Sequence, residues 1–323
     1  MSTEDRLGIE DLVGSSGHQP AMLDEVVAVL SRVPDGVVVD ATLGAGGHAE
    51  ALLNANRGLS LVGIDRDPDA LSAAGARLAP QRPRAALVHC RFDEMEATLR
   101  KLDVQRISGC LFDLGVSSMQ LDTAERGFSY RHCGPLDMRM DRSRGITGAD
   151  VVNSYDQGAL AALLRQHGDE PDAHRIARAI VAARPITSTV ELAEVVRGAV
   201  PAAVRRSRGH PARRTFQAIR VEVNEELRIL EDAIKQALAL LAPRGRCAVL
   251  AYHSGEDRIV KRCFNEASGQ VPPPRPGLPA QPRPASVRLL WRGARRPGAQ
   301  ETDRNPRARA ARLRAVERLR EER

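Results

Sequence analysis

Residues 40–52, DATLGAGGHAEAL, place three glycines within four positions, between an apolar run and a helical-looking one. Within them GAGGHA, Gly44 to Ala49, fits G-x-G-x-x-G/A. Taken alone that pattern is weak. Its context here is a strand, a glycine loop and a helix, with the loop at the carboxyl end of the strand. In open α/β sheets ligands bind at that end.

Working outward, GVVVDATL (36–43), LSLVGID (59–65), AALVHCRF (85–92), GCLFDLG (109–115) and RCAVLAYH (246–253) are short continuous apolar runs. Continuous rather than alternating runs suit parallel strands buried on both faces. Amphipathic runs separate the first four, which gives a βαβ succession and a doubly wound α/β class. From about 137 to 213 the rhythm changes. Short helices are expected instead, with Asp156, Asp172 and the Ser188/Glu191 capping box at their starts. A single long helix is predicted from about 213 to 241, ended by Pro243. The expected organisation is a discontinuous α/β domain, 1–137 and 214–323, interrupted by an all-helical substrate-recognition domain over 138–213. VPPPRPGLPAQPRP (271–284) predicts a polyproline or disordered linker over 270–285. SVRLLWR (286–292) is a candidate strand within a basic tail, 286–323.

Of the 323 residues 42% are hydrophobic and only 3% aromatic, so the core must be built from Leu, Val, Ile and Ala. No apolar run reaches the roughly 18–20 residues of a membrane span, and the acidic start MSTEDRLGIEDL lacks a signal-peptide pattern. A cytoplasmic protein with no membrane partner is expected. Five cysteines form no C-x-x-C pair, which favours reduced structural thiols and no metal site. The net charge of +7 is uneven: residues 271–323 hold 14 Arg and 5 acids, +9, so the rest carries −2 (7 − 9). Clustered arginine points to a polyanionic partner, nucleic acid first. Arg175 and Arg178 share a helix face, and RRSRGHPARR (205–214) adds Arg205, Arg206, Arg208, Arg213 and Arg214 as candidate RNA phosphate contacts.

The ligand of the glycine loop follows from charge. Asp40 sits four residues before Gly44, where a carboxylate would repel a pyrophosphate resting on the helix N-terminus. It suits the ammonium and sulfonium of S-adenosylmethionine, and Asp65, ending the second strand, is placed for a ribose diol. Asp113 ends the fourth strand. A cytosine or adenine amine is a poor nucleophile because its lone pair is delocalised into the ring. A carboxylate accepting from its N–H makes that lone pair available and relieves charge during transfer. Attack through cytosine C5 would require a cysteine, and neither FDLGVSS nor AYHSGED supplies one. His253, ending the fifth strand, reads equally as an active-site group or a loop histidine. Phe128 and Tyr130 read as core or as a stacking platform for a flipped base.

HQPAMLDEV (18–26), DATLGAGGH (40–48), GIDRDPDAL (63–71), DLGVSSMQLDTAERGFSYRHCGPLDMRMD (113–141), RRTFQAIRVEVNEEL (213–227), YHSGEDRIVKRCF (252–264) and NPRARAARLRAVER (305–318) follow one another in a way that closely resembles the MraW family of bacterial small-subunit ribosomal RNA methyltransferases. The long motifs ERGFS and GPLDMRMD are the specific part, and the resemblance covers about 18–265 plus the tail. It implies a class I, Rossmann-like methyltransferase domain using S-adenosylmethionine, with transfer to a cytosine N4 amine in the decoding region of 16S rRNA within the small subunit, and not to DNA. The resemblance also implies that Gly46, Gly47 and His48 line the cofactor loop and that Asp65 holds the ribose. On the same basis Phe92 packs on the adenine, and Asp113 and Gln120 complete the pocket with Asp113 facing the amine. Gly255 and Met119 stand where the family usually has Leu and Pro. The rival readings are an idle RNA-binding assembly factor and an amino-methyltransferase of DNA or a small molecule.

Overall fold

The computed structural model describes residues 20–206, 210–270 and 284–320. Among them β1 (Gly36–Asp40), β2 (Leu59–Asp65), β3 (Ala85–His89), β4 (Ile107–Asp113), β5 (Leu241–Ala251), β6 (Val287–Leu289) and β7 (Arg312–Arg318) form one sheet in the order β3-β2-β1-β4-β5-β7-β6. The first five strands are parallel, and β7 runs antiparallel between β5 and β6. Asp40 is in register with Gly63 of β2 and Leu111 of β4. The carboxyl ends of these strands therefore finish close together at the point where strand order reverses, which is where open α/β sheets bind ligands.

Helices α1 (Leu23–Leu30), α2 (Gly47–Ala55) and α3 (Pro68–Arg77) cover one face, while α4 (Met95–Lys101) covers the other. Successive strand residues point to opposite faces. Leu111 accordingly joins the cluster holding Leu30, Leu52 and Leu53, and Phe112 joins that holding Met95, Leu99 and Phe264. Burying each such side chain stabilises the fold by about 1.5–3 kcal/mol.

After the short α5 (Ser118–Asp122), the chain leaves the sheet for α6 (Gly148–Ser154), α7 (Gln157–Gly168), α8 (Ala173–Ala182), α9 (Thr189–Ala199), α10 (Ala202–Arg205) and α11 (Arg213–Asn224). Asp156 accepts from Ala159 N, and Ser188 with Glu191 forms a complete capping box, so these starts are written in the sequence. Leu160, Ile176, Leu192, Phe216 and Ile219 meet in a separate apolar cluster that extends from Phe128 to Val223. That cluster runs past both bounds, 138 and 213, expected for the helical region.

One expectation is corrected. The long helix predicted over 213–241 is two helices, α11 and α12 (Glu226–Leu240), broken at Glu225 with φ 54°. Asn224 fixes the break: its side chain is buried, accepting from Met140 N at 2.8 Å and donating to Met138 O at 2.7 Å. The bend lets α11 pack into the helical cluster and α12 onto the sheet. The basic tail, whose order the sequence left open, is folded over most of its described length. After α13 (Ser254–Ala267) and α14 (Ala299–Arg304), residues 312–318 become β7 with Leu313, Ala315 and Val316 buried. Arg312 and Arg314 of β7 pair with Asp257, and Glu317 of β7 holds Arg246 and Arg288. The Pro-rich stretch at 271–283 lies outside the described residues. No helix among the described residues is long and apolar enough to cross a membrane.

Candidate active site

A cavity of about 840 Å³ opens at the carboxyl ends of β1, β2 and β4. Of the residues expected there, Gly44, Gly47, His48, Asp65, Phe92, Asp113 and Gln120 line it. The glycine loop is shaped from below. Gly44 N donates to Asp65 Oδ2 at 2.8 Å. Gly46 adopts φ 78° as the N-cap of α2 and faces Ala74 rather than the cavity. A Cβ on Gly47 would sit 2.5 Å from Pro20 Cγ, so only glycine lets the chain pass there.

Asp65 Oδ1 also accepts from Asp67 N at 2.9 Å. Burial pushes its pKa up, and the backbone N–H donors partly hold it down. Each oxygen keeps a further lone pair for a ligand hydroxyl. Asp40 is elsewhere than expected: it is buried beneath the cavity wall, accepting from Thr42 N at 3.2 Å. Burial, with the charges of Asp113 and Asp65 adding, raises its pKa to about 8.

Asp113 ends β4 with its backbone N donating to Thr42 Oγ1 at 2.6 Å. Tyr252 Oη donates to Asp113 Oδ1 at 2.7 Å. His48 Nδ1 lies 3.5 Å from Asp113 Oδ2, and His48 Nε2 is 3.0 Å from Ala21 O, so that nitrogen must be the one that carries hydrogen. The His48 ring thus lies between Ala21 and Asp113. Gln120 is a lock: its amide nitrogen donates to Asp67 Oδ2 at 2.7 Å and its oxygen accepts from Ser117 N at 3.0 Å. Arg126 Nη1 meets the same Asp67 Oδ2 at 2.8 Å.

The chain matches the MraW methylase family over residues 15–319. It is 53% identical over 310 residues to the ribosomal RNA small subunit methyltransferase H of Thermobifida fusca, covering 94% of each chain. It is 50% identical to the protein of that name from Saccharopolyspora erythraea, again covering 94% of each. The one from Streptomyces avermitilis is 48% identical, with 96% of this chain and 99% of that one covered.

The chain belongs to the MraW methylase family. It is an S-adenosylmethionine-dependent methyltransferase with the class I, Rossmann-like fold. Its cavity fits that donor: Asp65 and Asp113 line it, and Asp40 lies buried at the same end of the sheet, where burial first and then the neighbouring carboxylates raise its pKa to about 8. A cationic ligand relieves this crowding of carboxylates, whereas a pyrophosphate would worsen it. Asp65 and Phe92 both line this cavity, and the Phe92 ring is set edge-on to Phe112 with centroids 5.9 Å apart.

Tyr252 went unassigned in the sequence, although it stands beside His253 at the end of β5. Burial and then Asp113 push its pKa well above the usual tyrosine value, so it stays a hydrogen donor. His253 takes the bland alternative. It lies outside the cavity lining, at the start of α13, with Nε2 3.1 Å from Glu256 Oε1. Gly255 lies in the first turn of α13, where a Cβ would meet Leu227 at 3.1 Å and the His253 ring at 3.2 Å. Tyr130 is already stacked on His210 at 4.4 Å, and Phe128 is buried under Arg126, so neither lines the cavity. Arg175, Arg178, Arg205, Arg206, Arg213 and Arg214 are exposed, but of these only Arg213 lines the cavity. Arg208 lies outside the described residues.

Proposed function

We propose that this methylase transfers a methyl group to the N4 amine of a cytosine in the decoding region of 16S rRNA, presented within the small ribosomal subunit in the cytoplasm. S-adenosylmethionine supplies, when bound, an electrophilic methyl group on a sulfonium. The observation that carries the reading is Asp113, a carboxylate fixed at the cavity by Tyr252. Held in place by Tyr252, the Asp113 carboxylate accepts from the amine N–H, which makes the ring-delocalised lone pair available. The same carboxylate takes the proton that the methylated amine must lose. Thr42 holds the Asp113 backbone, so the acceptor is preorganised before substrate arrives.

A covalent route through cytosine C5 finds little support. Cys90 lines the cavity, but burial raises its thiol pKa and its sulfur is 3.3 Å from Thr98 Oγ1. A nucleophilic thiolate requires the opposite surroundings. The relatives' shared name, ribosomal RNA small subunit methyltransferase H, supports the choice of substrate.

The test is transfer of labelled methyl with three acceptors side by side: small subunits lacking the modification, naked 16S rRNA and duplex DNA. Label recovered as N4-methylcytidine from subunits is the expected result. Label in DNA, or on another atom, overturns the reading.

A further inference from the structure

The cavity sorts its charges. Its acids Glu226 and Glu256 are buried, and its arginines fall into two groups. Arg66 donates to Asn224 O, Arg77 pairs with Glu50, Arg220 with Glu226, and Arg307 with Asp122. These four are spent on the fold. Arg131, Arg213 and Arg309 also line the cavity, are exposed, and make no ion pair among the described residues. They come from three distant segments: the loop after β4, the first turn of α11, and the 3-10 turn Pro306–Ala310 before β7. Folding has brought three unspent guanidinium groups to one mouth, above a floor of carboxylates.

That arrangement matches two ligands of opposite charge. The floor takes a cation. The mouth takes an anion that must come close to the floor without entering it. A polynucleotide strand whose one base reaches inward while its phosphates stay outside has that geometry, and arginine binds phosphate through a planar fork of N–H donors. We propose that Arg131, Arg213 and Arg309 form a phosphate clamp around the cavity mouth. It grips the single-stranded backbone on either side of the target nucleotide, with the helical region and the C-terminal segment as its two jaws. The proposal rests on the reading of RNA as substrate, and among the basic residues expected to touch RNA it keeps Arg213, adding Arg131 and Arg309, and leaves Arg175 and Arg178 outside the clamp.

The experiment measures methylation kinetics on unmodified small subunits over a range of salt, together with calorimetric binding of S-adenosylmethionine. Arg131→Ala, Arg213→Ala and Arg309→Ala are compared with Arg100→Ala, an exposed residue outside the lining. Each rim substitution is expected to raise KM about fivefold with cofactor affinity unchanged. It should also flatten the salt dependence of log KM by about 0.7, the increment for one phosphate contact on a single strand. Arg100→Ala should behave as wild type. Rim variants with wild-type KM and salt slope overturn the clamp, as does a loss confined to cofactor affinity. Failure of the wild-type enzyme to label any RNA would instead defeat the substrate reading beneath it.

Discussion

The Tyr252 hydroxyl donates to Asp113 Oδ1 across 139 residues of sequence, at 2.7 Å. The two side chains stand at the ends of neighbouring parallel strands, with Asp113 in register with Leu250 of β5. Tyr252 follows that strand's end and turns back over the carboxylate. A hydrogen bond to a charged acceptor contributes about 1.5–3 kcal/mol. Tyr252→Phe keeps the ring and removes the donor, so kcat is expected to fall about 10–100-fold with cofactor binding little changed. Asp113→Ala, which removes the acceptor itself, should cost about 10²–10⁴-fold. Single-turnover transfer of labelled methyl reads both, and a Tyr252→Phe enzyme with wild-type kcat would show that the tyrosine does not position the acid.

Asp40 makes stability and cofactor binding depend on pH. Its folded pKa is about 8 against 3.8 for an ordinary aspartate. Between these values the unfolded chain releases a proton that the folded one keeps. The stability it contributes is therefore complete below about pH 4, falls as pH rises, and levels off above about 8. Asp40→Asn should be more stable than the wild type without cofactor by a margin that grows across that window. Binding of the cationic donor should release protons at pH 7, seen as a dependence of calorimetric heat on the buffer, and Asp40→Asn should abolish the release. Heats independent of buffer in the wild type would refute the assignment.

What the sequence made legible were features with local causes. The parallel strands showed as unbroken apolar runs, the helix starts as Asp156 and Ser188, and Asp65 and Asp113 as acids at strand ends. What escaped has long-range causes. Asp40 also ends a strand, but its neighbours bury it, and position along the chain alone does not tell which side of a strand faces a ligand. The break at Glu225 is set by Asn224 reaching Met138 and Met140, far away in sequence, while the helical periodicity continues on both sides. RLRAVER, residues 312–318, alternates as a strand should, but its charged positions read as a tail because their partners, Asp257, Arg246 and Arg288, lie elsewhere.

Arg126 is 4% exposed and holds Asp67, itself 1% exposed, at 2.8 Å, while donating to Met140 O at 2.9 Å. It ties the loop after β4 to the turn after β2, where Asp65 stands. Removing one partner of a buried pair leaves a desolvated charge and costs about 3–5 kcal/mol. Arg126→Ala should lower stability by that amount in urea unfolding, and should weaken cofactor binding through the released Asp67–Gln120 contact. Asp67→Asn combined with Arg126→Met, which removes both charges, should recover most of the loss. If the double variant is as unstable as Arg126→Ala, the cost lies in the lost carbonyl contacts instead.

Gly127 follows Arg126 with φ 73°, and a Cβ there would lie 2.2 Å from Pro135 O and 2.8 Å from Asp137 N. Neither obstacle is a movable side chain. Gly127→Ala adds a left-handed backbone penalty of about 1 kcal/mol to an overpacking cost of about 1–3 kcal/mol. Because Met138 N bonds to Arg126 O at 3.0 Å, the distortion passes directly to the segment that cradles the Arg126 guanidinium. The expected outcome is a loss of about 2–4 kcal/mol in denaturant unfolding, and proteolysis starting in the segment after α5. Thr147→Ala, which removes an exposed cap in the same region, should cost only about 1 kcal/mol. Equal losses for the two variants would mean that the tight approach of Gly127 to Pro135 relaxes in solution.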